Sequence, residues 1–97
     1  MIQNEWQKVT ESRYAAVTDE YGQFEEDPAT AREIEMVIKQ YSAVNVNNPI
    51  YADVTLLALT DDFSVDTNSI ITFNGKKYGV KFTIPTRTYL EVFLYAL

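Results

Sequence analysis

The feature that most constrains this chain is the dipeptide Asn74-Gly75, set between Ile70-Ile71-Thr72-Phe73 and Lys76-Lys77-Tyr78-Gly79-Val80-Lys81-Phe82. A type I′ turn needs positive φ at both central residues, and Asn-Gly meets that need at the lowest steric cost. A two-residue turn also sets the register. Phe73 faces Lys76, Ile71 faces Tyr78, and Ser69 faces Val80. Ile71, Phe73, Tyr78 and Val80 then share one apolar face with Phe82, while Thr72, Lys77 and Lys81 share the other. A G1 bulge at Gly75 is the alternative, and it mixes the two faces.

The chain has 97 residues, enough for a single domain with a modest core, to which partner subunits can add. It contains no cysteine and no histidine. Disulfides, thiol chemistry, nucleophile–base pairs built on those residues and the usual zinc sites are therefore excluded. No apolar run reaches the roughly 18 residues of a membrane span, and Met1 to Thr10 lacks the basic start and apolar middle of a signal peptide. These features place the protein in a cytoplasm, or in a particle assembled there.

Charge is distributed unevenly. The formal net charge is −6. Thirteen of the 14 acids precede Thr67, with four Lys/Arg among them; beyond it, Glu91 stands against Lys76, Lys77, Lys81 and Arg87. An acidic chain is a poor non-specific nucleic-acid binder, because it has few cations to replace counterions. Two readings of the asymmetry remain open: a solvated surface, or the acidic part of one subunit meeting the basic part of a neighbour.

The rest of the chain reads as short strands with turns about every ten residues, the pattern of a small antiparallel β-barrel or sandwich. Trp6 to Val17 is rich in β-formers and reads as a bent or edge strand, followed by a turn at Asp19-Glu20-Tyr21-Gly22 and an acidic tip at Phe24 to Asp27. Asp27 to Tyr41 is ambiguous. Asp27-Pro28 resembles a helix N-cap with proline at the first position, and Ile34, Ile38 and Tyr41 have helical spacing. Ile34, Met36 and Ile38 also alternate with Glu33, Glu35, Val37 and Lys39, as in a strand. Local rules lean towards one short helix. Asn- and Pro-containing Ser42 to Pro49 is a loop, and Tyr51 to Thr60 is a strand or a short helix. Pro85 interrupts pairing, and Tyr89 to Leu97 is apolar on both parities except Glu91, which suits a strand buried on both faces, in a barrel wall or against another subunit.

Motifs of catalysis are sparse. Asp61, Asp62, Asp66, Ser64 and Asn68 gather oxygens, but without the glycine and distal glutamate of an EF-hand loop, so a solvated acidic turn is the simpler reading. The three glycines are isolated and make no phosphate loop. The seven tyrosines suit a core and interfaces. The expectation is a protein that is not an enzyme and uses no metal or cofactor.

Three features of the second half, taken together, resemble the small head–tail connector (head-completion, or stopper) proteins of tailed bacteriophages of Gram-positive hosts. A segment ends in Leu59-Thr60-Asp61; a hairpin has the form Ile-x-x-x-Gly-x-x-Tyr-x-Val over Ile71 to Val80; and Pro85-Thr86-Arg87-Thr88-Tyr89 turns into a terminal apolar strand. The resemblance covers about residues 34 to 96; the first thirty match only loosely. It implies a small β-barrel, which moves the reading of segment 27–41 towards a strand, and a homo-oligomeric ring between the portal or adaptor and the tail proteins, although the protein can be a monomer alone. The ring helps to retain DNA, which passes nearby without sequence-specific binding, and no membrane is involved. Its place is the head–tail interface of the virion, after synthesis in the host bacterial cytoplasm. By position, the resemblance implies a channel-facing loop at Val44, Asn45, Val46, Asn47, Asn48 and Pro49. The candidate subunit interface is Lys76, Lys77, Arg87, Tyr89, Glu91, Phe93 and Tyr95. The alternative is a small β-barrel module that binds a protein or peptide without catalysis.

Overall fold

Asn74 and Gly75 adopt φ values of 53° and 74° in the computed structural model of the chain, the left-handed pair that a type I′ turn requires. The model describes residues 6–18, 24–41 and 53–97. The turn joins β4 (Ser69–Phe73) to β5 (Lys76–Pro85), in the register Phe73↔Lys76, Thr72↔Lys77, Ile71↔Tyr78 and Ile70↔Gly79. The bulged alternative is not adopted. Ile71 and Val80 enter the core, with Phe73 and Tyr78 packed against it. Phe82 departs from the expected face. The ladder of β5 with β6 (Leu90–Ala96) is irregular between Val80 and Phe82, and the extra residue brings Phe82 opposite Phe93 instead.

Four further segments complete the sheet. They are β1 (Gln7–Thr18), β2 (Phe24–Gln40) and β3 (Val54–Thr60), joined to the hairpin and β6 in a closed antiparallel barrel of order β1-β2-β3-β6-β5-β4. Closure explains why β1 is no edge strand. It pairs with β2 on one side and with β4 on the other, where Arg13 meets Ser69. It is bent, as its imperfect alternation predicts, with irregularities between Glu11 and Arg13 and between Tyr14 and Thr18.

Segment 27–40 belongs to β2, so the lean of local rules towards a short helix is corrected in favour of the strand reading; no helix occurs among the described residues. Period-two burial outweighs local propensity here. Ile34 and Met36 are buried and Ile38 packs on the core, while Glu33, Glu35 and Lys39 are exposed. The helix-start chemistry at Asp27-Pro28 serves a bulge instead. Between the pairs Glu11↔Arg32 and Arg13↔Asp27, β2 has four residues where β1 has one. Asp27 Oδ1 accepts from the Ala29 amide at 3.0 Å, and the Thr30 hydroxyl donates to the Asp27 carbonyl at 2.6 Å. Thr30 Oγ1 also accepts from the Arg13 amide at 2.8 Å, tying the bulge to β1. An aspartate that satisfies an amide two residues on works equally at a helix cap and in a strand bulge. The expected acidic tip at Phe24–Asp27 is likewise part of β2.

The core is one cluster drawn from all six strands and the β3–β4 loop, centred on Met36, Ala58, Ile71, Val92 and Leu94, none more than marginally exposed. Val65 of the loop enters it from one end. β6 explains its own double apolarity. Leu90, Val92 and Leu94 point inward, and on the other parity Phe93 stacks on Phe82 with ring centroids 4.4 Å apart and meets Tyr41 edge-on at 5.6 Å.

Candidate functional site

The densest polar constellation closes the end of the barrel where β3 runs into β4. Glu11 is on the inward parity of β1 and is 1% exposed. A bare carboxylate there is costly unless it is fully partnered. Its Oε1 accepts from Arg32 Nε at 2.7 Å and its Oε2 from the Ser69 hydroxyl at 2.6 Å, with Arg13 Nε 3.7 Å away. The two arginines then reach into loop 61–68. Arg32 pairs with Asp62 at 2.9 Å and donates to Ser64 Oγ, while Arg13 pairs with Asp66 at 3.1 Å and donates to the Ser64 carbonyl. Hydrogen bonds from the Ser64 hydroxyl and amide, together with Arg32, hold the Asp62 carboxyl below the ordinary carboxylate range against the opposing effect of burial. Glu11 in turn raises the pKa of Arg32.

This arrangement is a clasp. Asp62 and Asp66 face guanidinium groups rather than one another, and no group of three or more acids among the described residues is placed to hold a metal ion. Every buried side-chain N or O among the described residues has a partner, so the constellation is closed internally. The reading of Asp61–Asn68 as a solvated acidic turn missed this. The available signal was Glu11, an acid two residues from Val9 on the inward parity, which demands a cation from elsewhere.

A second contact set lies outside the barrel. Ser12, Ile70, Lys77, Gly79 and Tyr95 share the outward parity. The Glu26 carboxylate of β2 accepts from both the Ser12 hydroxyl and Lys77 Nζ, across β1 and β4. The hydrogen bond from Lys77, then that from Ser12, lowers the pKa of Glu26. Tyr14 sits close enough to Tyr95 and Glu26 that burial, then those two groups, raises its phenol pKa. The far part of the β1–β2 hairpin thus leans on the outer surface of β4 and β5.

The predicted interface residues fall into four groups. Lys76 and Arg87 are exposed and form no ion pair among the described residues. Lys77 is engaged by Glu26, and Tyr95 covers Gly79 with Lys81 Nζ 5.8 Å from its ring centre. Tyr89 is 38% exposed, and Glu91 lies on the outer surface between Leu59 and Ile84. Phe93 is only 6% exposed and its ring packs within the subunit. The proposed channel loop, Val44 to Pro49, lies outside the described residues, as does the turn at 19–22.

The barrel order gives the charge asymmetry a geometry. β2 and β5 are three strands apart in either direction and form opposite walls. β2 carries five acids against Arg32 and Lys39, whereas β5 carries three lysines and no acid. Comparison with known proteins finds no family model that matches the chain and no curated protein that matches it.

Proposed function

We propose that the chain is a non-catalytic structural subunit, and that its assembly is the head–tail connector of a tailed phage, a ring between portal and tail that helps retain DNA and dock the tail. One observation carries the assembly reading: outside the internal Glu26–Lys77 and Asp53–Lys81 pairs, Glu33 and Glu35 are exposed on the β2 side of the closed barrel, and Lys76 and Arg87 on the β5 side. Such walls can meet head to tail, and repeated rotation then closes a ring. The sequence resemblance supplies the phage. A net charge of −6 suits a passage for DNA, since an anionic wall does not hold phosphates. The peptide-module alternative would use the stretch of β2 before Val37, where the ladder with β3 begins. Pro28, the adjoining bulge and the outward acids on that stretch are devices that guard an edge against added strands.

The test is co-assembly. Tailless, DNA-filled capsids lacking this protein are incubated with it and then with tails. Binding to the capsids and a gain of tail joining are expected. Capsids that neither bind the protein nor become competent for tails would sink the connector reading.

A further inference from the structure

The corner between β5 and β6 is braced by three hydrogen bonds between Thr86 and Tyr89. The Thr86 amide and hydroxyl both donate to the Tyr89 carbonyl, at 2.8 and 2.6 Å, and the Tyr89 amide donates back to the Thr86 hydroxyl at 3.1 Å. The braced turn presents Arg87 between two exposed apolar side chains, Ile84 at 40% and Tyr89 at 38%. Aromatic, aliphatic and arginine side chains on a rigid support are the composition of interface anchors, because little conformational freedom is lost on docking.

The opposite wall carries the complement at the same level of the barrel. Pro85 pairs with Leu90 and Leu90 with Thr60, whose hydroxyl donates to the Glu35 carbonyl at 3.0 Å. Glu35 therefore lies at the same end as Arg87, across the barrel. Glu33 and Glu35 are exposed on β2, and Trp6, just before the residue that pairs with Met36, is 48% exposed beside them. One wall offers a cation with apolar flanks, with Glu91 opposite Ile84 on the next strand; the other offers two acids and an indole around a single lysine, Lys8, which lies opposite Glu35 and 3.8 Å from Glu33, so that one acid is in surplus.

We propose that a second copy of this chain docks its Ile84–Arg87–Tyr89 corner against Trp6, Glu33 and Glu35 of the first. Arg87 pairs with Glu35, and the two apolar side chains cover the indole. The contact is heterologous: each copy uses one wall and leaves the other for the next. The inference rests on the assembly reading above and narrows it to one pair of surfaces. A partner of different sequence would need only one of the two walls; the matching of both on one chain points to self-contact.

The absence of cysteine makes the test direct. Thr88→Cys beside the corner and Glu33→Cys within the facing patch place single thiols at the proposed contact and leave Arg87 and Glu35 in place. Under mild oxidation, a mixture of the two variants is expected to form disulfide-linked dimer at least tenfold faster than either alone, and faster than Glu33→Cys mixed with Lys76→Cys, a site at the other end of β5. Adding Arg87→Glu to the Thr88→Cys chain should slow the reaction about tenfold, and adding Glu35→Arg to its partner should restore it. A mixture that links no faster than the single variants or the control pair overturns the contact, as does charge reversal without effect. Capsid binding reads the connector separately: cross-linking lost with capsid binding kept removes this contact alone, and the reverse removes the connector reading alone.

Discussion

Gly79 shows how much a single position decides. Its backbone does not need glycine, since its φ is not among the positive values of the described chain. Space is what requires it: a Cβ built there would lie 2.5 Å from Cζ of Tyr95 and 2.6 Å from its hydroxyl. The ring packs flat over the gap that the missing side chain leaves, as aromatics do over strand glycines. Gly79→Ala should therefore push the Tyr95 ring off β5. The expected loss is about 1–2 kcal/mol, net of the gain that alanine usually brings in a strand. Urea denaturation measures it, and near-UV circular dichroism reports the displaced tyrosine. A neutral or stabilising change would show that the ring does not depend on this gap. At Gly75 the reasoning differs, because φ is 74° and backbone strain, rather than space, opposes any side chain.

At the scale of elements, β2 and loop 61–68 carry the main lessons. β2 contains good helix formers and a cap-like Asp-Pro, yet its inward residues at 34, 36 and 38 fill the barrel only as a strand. Loop 61–68 has few apolar residues of its own, and Val65 with the two arginine clasps holds it to the barrel end. Arg32→Ala removes one acceptor's partner from Glu11, which remains buried with Ser69 and the more distant Arg13. Leaving a buried carboxylate oxygen short of a donor costs about 1–3 kcal/mol. The variant should lose that much stability, and amide exchange should accelerate first in 61–68, before the β4–β5 hairpin. Exchange that accelerates uniformly over the chain would contradict a local clasp.

At the scale of the whole molecule, the acids that are paired make stability depend on pH. Glu26 and Asp62 both have depressed pKa values in the folded chain. A depressed carboxylate contributes stability that is present above the ordinary range and is lost as the pH falls through it, near about 4 and below. The protein should therefore lose stability in acid, between roughly pH 5 and pH 3. Glu26→Gln with Asp62→Asn should lower stability at neutral pH and flatten the decline in acid. Thermal midpoints of the two proteins across that window check this, and parallel curves would show that other groups govern the acid limb. Other charges, Glu33 and Glu35 on β2 and Arg87 beyond β5, supply the argument for head-to-tail contact between copies.

The hairpin was legible in the sequence because everything that decides it is local. Asn74 and Gly75 accept positive φ, and the two-residue turn leaves one register for Ile71 and Tyr78. The β-rich pattern and the barrel class follow from the same short-range alternation. The strand character of segment 27–41, the turning of Phe82 to the outer surface and the partners of Glu11 were not legible in that way. Each depends on a residue far along the chain: Ile34 facing Val9, Phe93 opposite Phe82, Arg32 and Ser69 meeting a single carboxylate. Sequence alone determined the hairpin turn and the β-rich pattern; only closure of the sheet decided that segment 27–40 is a strand, which face each bulge exposes and which charges are paired, because those outcomes depend on contacts between strands brought together by folding.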